Sequence, residues 1–320
     1  MSDSNYLLVR NRFDDFDELA TTIRAWDLDF RQLDRGQSVA KLSQIIGSDV
    51  VLLHACFSRH YHQQGSTPPG MRTFGLLEDN VSGVQWFGRE VTSSSLMCFP
   101  ASRELEAVSR PDFEAYTISF SEQLLARTAV DLGLPGLGMI LHSEDRVANC
   151  DPAAIKLVRN QLRRIGNYAK QNSHYFNNPE LKQILETELP TLILKALSNS
   201  LDVVQTKPSQ WKKQQALIKS KNYLNEFTNE PVSVTGLCQY AGVSVRTLEC
   251  AFKEYYGVTP KIYLTATRLN GVYRELREHN PQFISITDIA NKWGFWHMGQ
   301  FAADYKRLFG KLPSETVKNR

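Results

Sequence analysis

The sequence has no long apolar run. None of its apolar stretches reaches the ~20 residues that a helix needs to cross a bilayer. The first residues, MSDSNYLLVRNRFDDFDEL, lack the basic-then-apolar order of a signal peptide. We therefore expect a cytoplasmic protein without a membrane partner. Because 320 residues exceed the usual size of one domain, we also expect two domains.

Cysteine is scarce and never paired in the sequence. The five cysteines are odd in number, widely spaced and never arranged as C-x-x-C, which argues against a disulfide framework or a structural zinc site. We expect reduced, mostly buried thiols at Cys56, Cys98, Cys150, Cys238 and Cys250.

The sequence also lacks the usual signatures of catalysis. No Ser-His-Asp arrangement or cysteine-nucleophile pattern stands out, so we expect neither an enzyme nor a cofactor. His60-x-His62, with His54 nearby, is a pattern that could hold a divalent metal, since neutral imidazoles are common ligands. The segment that follows, QQGSTPPGM, supplies no nearby carboxylate. We therefore interpret these histidines as ordinary surface or pocket residues and expect no metal site.

Acidic residues are sparse in the C-terminal third. Residues 211–320 contain 16 Lys and Arg against 9 Asp and Glu, whereas residues 1–210 contain 21 against 25. A net charge of +7 on the C-terminal third suggests a polyanionic partner, most simply nucleic acid. Solvated surface charge would give the same balance, so charge by itself does not decide between these two interpretations.

The N-terminal part changes from strand-like to helical. Between about 38 and 120, short β-rich runs alternate with Gly, Pro, Ser and Asn clusters, which is typical of a small β-barrel or sandwich. Helices are predicted from about 151 to 200, where Asp151-Pro152 and Asn178-Pro179 are typical helix starts and Pro190 should bend or restart the second helix.

Two features of these helices have open interpretations. An apolar stripe suits either a dimer interface or core packing, and it consists of Leu181, Ile184, Leu185 and Leu189. Arg159, Arg163 and Arg164 lie on adjacent turns and could hold an anion, but a solvated helical face explains them more simply. We expect a sensory or dimerisation domain over 1–200 and a linker over 201–213.

The remaining residues, 214–320, contain one pattern twice. LCQYAGV at 237–243 aligns with IANKWGF at 289–295, and GVTP at 257–260 aligns with GKLP at 310–313. Each copy predicts a short helix, a turn at a glycine that can adopt a left-handed conformation, a second helix and a Gly-x-x-Pro stop. This is the organisation of a helix-turn-helix. We expect the two motifs at about 234–257 and 286–310.

The second helix of the first motif is predicted to have two distinct faces. Its inward stripe consists of Leu248, Phe252 and Tyr255, and its outward face of Arg246, Glu249, Cys250 and Lys253. Such an outward face suits a DNA major groove, because a guanidinium can bind guanine, a carboxylate can accept from cytosine and an ammonium group can contact phosphate. Ser244 stands where an N-cap would lie.

One long helix should separate the two motifs. Residues Pro260 to Glu278 read as a single helix, roughly 27 Å long at ~1.5 Å per residue. This length is close to the ~34 Å of one DNA turn. The helix could therefore place the two motifs in successive major grooves.

These features resemble the AraC/XylS family of bacterial transcription regulators. The resemblance rests on the tandem motifs, on Arg268-Leu269-Asn270 and on the terminal WGF…F…Y…FG…P pattern, and it covers roughly 213–320. RLNGVYREL and KWGFWHMGQFAADYKRLFGKLPSETV are similar to the branch that contains activators of ethanolamine-utilisation operons.

The resemblance implies an α+β fold. An N-terminal cupin-like β-barrel with appended helices would precede an all-α domain with two helix-turn-helix motifs. It also implies a ligand-responsive transcription activator, with double-stranded DNA, RNA polymerase, a small-molecule effector and a second copy of the chain as partners.

The resemblance further implies roles for individual residues. The predicted base-reading residues are Arg246, Glu249, Cys250, His297 and Gln300, and the predicted phosphate contacts are Ser244, Lys253, Lys306 and Arg307. Gly299, Ala302 and Ala303 occupy the positions equivalent to Arg246, Glu249 and Cys250. The second motif should therefore make few direct base hydrogen bonds and depend more on phosphates and DNA shape.

The ligand-lining residues are predicted to be Arg59, Phe74 and Trp86. One alternative is a cupin-like metalloenzyme fused to a DNA-binding module. Another is a regulator whose barrel only dimerises or binds a protein, which the lack of an enclosed pocket would favour.

Overall fold

The computed structural model of the chain describes residues 6–23, 26–87, 89–99, 104–134, 147–171, 175–176, 178–200, 208–226, 232–278 and 285–318. The chain separates into two compact units. The first comprises Met1–Phe30, Val39–Ser58 and Gln63–Val203, and the second comprises Arg31–Ser38, Arg59–His62 and Val204–Arg320. The second unit thus includes two short segments that the sequence had placed in the N-terminal domain.

The strands begin earlier than the sequence predicts, at Tyr6 instead of near residue 38. They are β1 Tyr6–Phe13, β2 Asp27–Gln32, β3 Ala40–Ile46, β4 Val50–Phe57, β5 Tyr61–Ser66, β6 Met71–Leu77, β7 Val84–Trp86, β8 Arg89–Val91, β9 Ser95–Cys98, β10 Glu104–Val108, β11 Phe113–Ser121, β12 Val147–Asn149 and β13 Tyr175–Phe176. The early strands were missed because β1 and β2 carry charged residues, which obscures the alternation of apolar side chains.

The described strands form two sheets. The order is β12-β9-β6-β11-β4-β3-β1-β13 in the eight-stranded sheet and β2-β5-β10-β7-β8 in the five-stranded sheet. Strands β4 and β11 are paired antiparallel along their whole length. Because side chains alternate across a sheet, one face of this pair packs in the helix-covered core, and the other lines a cavity.

The helices of the first unit are α1 Phe16–Thr22, α2 Glu122–Asp131, α3 Pro152–Gln171, α4 Pro179–Gln183 and α5 Leu189–Ser198. Residues of α2 to α5 pack in one core cluster with one face of the larger sheet. Helix α1 contacts β1 and β3. A π-helical turn, Ile184–Glu188, joins α4 to α5, and Pro190 lies in the first turn of α5. A new helix thus begins near Pro190, as predicted, because proline has no backbone N–H to donate to the preceding helical turn.

The apolar stripe of α4 and α5 belongs to the core of the first unit. All four of its residues are buried in one cluster with residues of the sheet and of α3, and they are Leu181, Ile184, Leu185 and Leu189. Core packing therefore explains the stripe, and the dimer-interface interpretation of these residues has no support.

The three arginines of α3 differ in exposure, since Arg163 and Arg164 are exposed and Arg159 is buried. Arg159 is buried and donates to the backbone oxygens of Leu77 and Ser93. Arg163 forms ion pairs with Glu78 and with Asp79. These contacts join α3 to the residues that follow β6. Both earlier interpretations, an anion site and a solvated face, were wrong for Arg159.

The described elements of the C-terminal part are helices. They are α6 Pro208–Glu226, α7 Val234–Ala241, α8 Val245–Tyr256, α9 Pro260–Glu278, α10 Ile286–Lys292, α11 Met298–Phe309 and α12 Pro313–Lys318. Helix α6 begins inside the predicted linker, whose residues 201–207 lie outside the described residues. The mixed α+β fold is confirmed. Among the described helices, none is both long and apolar enough to cross a membrane.

Candidate DNA interface and ligand cavity

The two repeated segments fold as two helix-turn-helix motifs. The first motif consists of α7 and α8, and the second motif consists of α10 and α11. Gly242, with φ 68°, follows α7, and Gly294, with φ 78°, lies just after α10. Both glycines adopt the left-handed conformation that a side chain disfavours, so each turn depends on the glycine that the repeat predicted.

Local contacts define both ends of α8. The Ser244 hydroxyl caps its first turn and accepts from the Thr247 backbone N–H at 3.2 Å. Gly257, with φ 70°, ends the helix. The buried stripe consists of Leu248, Ala251, Phe252 and Tyr256. The prediction of Tyr255 was wrong by one position, since this residue is only half-buried.

The opposite face of α8 is open to solvent. Its exposed side chains are those predicted for base or phosphate contact, namely Arg246, Glu249, Cys250 and Lys253. An arginine, a carboxylate and a small side chain within one turn can present donors and acceptors to base edges. Their contacts with DNA stay a prediction.

The five cysteines are all free, but they are not mostly buried. Cys150 and Cys238 are buried, Cys56 and Cys98 are half-buried, and Cys250 is exposed. Burial raises the pKa of the Cys150 thiol to about 11. The expectation of mostly buried thiols was therefore wrong, chiefly because α8 turns Cys250 outward.

Helix α11 also exposes the residues that were predicted to contact DNA. Its predicted contact residues are all exposed, and they are His297 at the N-cap position, Gln300, Lys306 and Arg307. Asp304 accepts from Gln300 at 2.9 Å and from Arg307 at 2.7 Å. Two of the predicted DNA contacts are thus held by a neighbouring carboxylate.

Trp296 was missed by the sequence analysis. It directly precedes His297 at the start of α11, and 71% of its surface is exposed. A large exposed aromatic side chain at the start of the second helix of a helix-turn-helix motif is available to contact a partner. Its signal in the sequence was a tryptophan outside the apolar stripe of α11.

Helix α9 joins the two motifs and extends from Pro260 to Glu278, as predicted. It packs against α8, α10 and α12. Glu275 accepts from the Trp293 indole N–H at 3.1 Å. The indole lies directly over Gly271, where a side chain would overlap it. A close approach at glycine thus fixes the second motif to the joining helix.

The predicted histidine pair belongs to the second unit. His60 and His62 are both buried, and the Tyr263 hydroxyl lies 3.0 Å from His62 Nδ1. Neither histidine belongs to a group of three metal-type ligands among the described residues. Their interpretation as surface or pocket residues was wrong, because tyrosines cover His62. The described group with metal-ligand spacing is His54, Cys56 and Glu114.

An apolar cavity of about 60 Å³ lies between the two sheets of the first unit. Trp86 lines it, as predicted. Phe74 does not, because it packs on the opposite face of the sheet among core residues. Arg59 does not either, since it donates to the Arg35 carbonyl at 2.7 Å within the second unit.

Three of the residues that line this cavity carry buried donor groups. The indole N–H groups of Trp26 and Trp86 and the side-chain NH₂ of Gln63 are buried and have no hydrogen-bond acceptor in the described part of the chain. Leaving a buried donor unsatisfied costs about 1–3 kcal/mol. The arrangement therefore suits a molecule that is mostly apolar but carries a hydrogen-bond acceptor.

Comparison with known proteins concerns the C-terminal helices. Residues 237–319 match the helix-turn-helix domain family. The probable thc operon regulatory protein of Rhodococcus erythropolis is 36% identical over 97 residues, which are 30% of this chain and 29% of that protein. The XylDLEGF operon transcriptional activator 1 of Pseudomonas putida is 34% identical over 98 residues, 31% of this chain and 30% of that protein.

The matched segments span less than a third of these relatives' lengths. Among solved structures, the AraC-like transcriptional activator CuxR is similar over 84% of this chain and 96% of its own, at 15% identity and a TM-score of 0.45. The sequence relatives support the AraC/XylS resemblance of the C-terminal domain.

Proposed function

We propose that this chain is a sequence-specific DNA-binding transcription regulator of the AraC/XylS type. The observation that carries the proposal is the pair of helix-turn-helix motifs on one joining helix. The second helix of each motif buries one face and exposes the other to solvent. The basic balance of residues 211–320 supports a polyanionic partner. Activation of a promoter, contact with RNA polymerase and homodimerisation belong to the same proposal and rest on the family resemblance.

The two motifs divide the work of recognition. Helix α8 reads bases through Arg246, Glu249 and Cys250. Helix α11 offers glycine and alanine at the equivalent positions 299, 302 and 303, so it acts mainly through phosphates and DNA shape. Lys306 is the basic side chain that supports this role most directly, because Arg307 already pairs with Asp304.

The effector is an apolar molecule with a hydrogen-bond acceptor such as a carbonyl or carboxylate. The donors of Trp26, Gln63 and Trp86 support this choice. A cavity of about 60 Å³ is smaller than the ~300–1,000 Å³ of typical ligand sites. Binding must therefore displace lining side chains, and a ligand that favours one conformation in this way shifts the equilibrium of the protein.

Footprinting of the full-length protein on DNA flanking its own gene tests the proposal. We expect protection of two adjacent major grooves that weakens steeply with salt, because bound Lys and Arg release counterions from DNA. Protection of a single groove would contradict the tandem arrangement. Lack of any protection across the salt series would contradict the proposed function.

Quenching of tryptophan fluorescence by apolar acids and ketones tests the effector class. Trp86→Phe keeps an aromatic ring but removes the five-membered ring of the indole with its N–H, so we expect it to weaken binding. Trp296→Phe, at an exposed position, is the matched control and should leave binding unchanged. An unchanged affinity in Trp86→Phe would mean that the ligand does not accept from Trp86, and no quenching in the parent protein would favour the alternative of a domain that only dimerises or binds a protein.

The similarity to the ethanolamine-utilisation branch stays a prediction about the DNA-binding segment. It rests on RLNGVYREL, all of which lies in α9, and on residues 292–317, from the last residue of α10 into α12. It carries no statement about the inducer, because the effector would bind in the first unit.

A further inference from the structure

We propose that His54, Cys56 and Glu114 form a binding site for a zinc-class divalent metal ion on the outer face of the larger sheet. The site lies in the first unit and is separate from the apolar cavity. It uses one imidazole, one thiol and one carboxylate, the three ligand types that zinc accepts.

The strand register brings the three residues together. Cys56 on β4 lies directly opposite Glu114 on β11, and His54 lies opposite Tyr116. Residues two apart on a strand share a face, and opposed residues on antiparallel strands have Cβ atoms about 4.5–5.5 Å apart. The two strands therefore hold all three side chains on one face of the sheet.

The three candidate ligand atoms lie close together. His54 Nε2 and Glu114 Oε1 share a hydrogen bond of 2.8 Å, which a bound metal ion would replace, and His54 Nε2 lies 4.0 Å from Cys56 Sγ. All three ligand atoms lie within 4.8 Å of one another. Tetrahedral zinc, with bonds of ~2.0–2.3 Å, places its ligand atoms roughly 3.4–3.6 Å apart. Rotations of half-buried side chains can supply the difference.

Surrounding groups orient the imidazole and leave one side of the site open. The His54 ring stacks on Tyr116, with the ring centroids 4.3 Å apart. His54 and Glu114 also line a cavity of about 270 Å³ between the sheet and α3. Three protein ligands beside a cavity leave the fourth position to water or an exchangeable ligand, as in open zinc sites.

Charged groups of both signs lie near the site: Lys41 on β3 is paired opposite Cys56, and Glu78 lines the same cavity as Glu114. The thiolate is the form of cysteine that binds a metal, so metal binding releases the thiol proton of Cys56. The resulting thiolate and carboxylate then balance the charge of a divalent ion. Arg10 and Arg163 line the same cavity, but Arg163 is already paired with Glu78 and Asp79.

Cobalt titration of the full-length, chelator-treated and reduced protein tests the proposal, because Co²⁺ replaces zinc and its bond to a thiolate absorbs in the near ultraviolet. We expect one Co²⁺ per chain, a sulfur-to-cobalt band and displacement by Zn²⁺. Cys56→Ser should abolish the band. His54→Gln and Glu114→Gln should weaken binding at least about tenfold, as even the loss of outer contacts to a ligand does.

Matched controls separate this site from other thiols. Cys98→Ser, at a half-buried position, and Cys250→Ser, at an exposed one, should leave the sulfur-to-cobalt band and the affinity for Co²⁺ unchanged. Circular dichroism of each metal-free variant checks that it folds. A band that persists in Cys56→Ser, equal binding by all variants, or no band in the parent protein would each overturn the proposal.

Discussion

At the residue scale, Arg246 and Lys306 differ in what they can recognise. Arg246 lies on the mixed outward face of α8, whereas Lys306 lies on a helix with little capacity for base hydrogen bonds. We expect Arg246→Ala to cost about 1–3 kcal/mol and to relax preference at one base pair. Lys306→Ala should weaken binding to all sequences alike and reduce the salt slope by about 1. Binding to a library of single-base operator variants measures both effects. Equal loss of sequence preference in the two variants would refute the proposed division of roles between α8 and α11.

A second residue-scale prediction concerns Asp304. Its carboxylate holds Arg307 and Gln300 and adds a negative charge to the proposed DNA face. We expect Asp304→Asn to strengthen binding to all DNA sequences and to steepen the salt dependence, because Arg307 becomes available to phosphate. Fluorescence anisotropy across a salt series measures this. Weaker binding would mean that the Asp304–Arg307 pair orients the arginine for DNA.

At the scale of the element, the start of α8 tests whether Ser244 serves the helix or the DNA. Its hydroxyl caps the helix, so Ser244→Ala should lower the free energy of unfolding by ~1 kcal/mol. Ser244→Asp keeps a good N-cap but adds negative charge. We expect it to retain stability and to lose DNA affinity. Urea unfolding measures the effect on stability, and anisotropy measures the effect on DNA binding. Unchanged DNA affinity in Ser244→Asp would place Ser244 away from phosphate.

The packing of α9 against α10 also makes a prediction. A methyl group at Gly271 would overlap the Trp293 indole, and overpacking costs typically ~1–3 kcal/mol. Gly271→Ala should therefore lower the unfolding free energy by about that amount. Gly299→Ala is the matched control, because Gly299 has nothing within 4 Å of the added carbon. Helix propensity should make this control neutral or stabilising. Equal stability of the two variants, measured by urea unfolding, would contradict the close packing.

At the scale of the whole molecule, stability should depend on pH through Glu78. Burial opposes its ionisation, but hydrogen bonds and charge from Arg163 outweigh burial and lower the pKa of Glu78 below its ordinary value of 4.5. A carboxylate with a lowered pKa stabilises the folded state above the ordinary value, and this stability is lost as the pH falls through the lowered pKa. Urea unfolding between pH ~7 and ~3 should show a weaker acid-induced loss in Glu78→Gln. If the parent protein and Glu78→Gln lose equal stability in acid, groups other than Glu78 cause the loss.

The helices, turns and caps of the C-terminal unit follow from local patterns in the sequence. Residues Pro260 to Glu278, the left-handed glycines and the Ser244 cap all depend on residues within about one helical turn, so a linear pattern contains them. The internal repeat strengthened each of these predictions, because the same local pattern occurs twice.

In contrast, the contacts across the sheets depend on long-range strand pairing. His54 and Glu114 are 60 positions apart and come together through the register of β4 and β11, and no local pattern specifies that register. Trp26, Gln63 and Trp86 are likewise far apart in the sequence but line one cavity. The face on which a strand side chain lies depends on register, and this is why Phe74 was assigned to the cavity although it packs in the core.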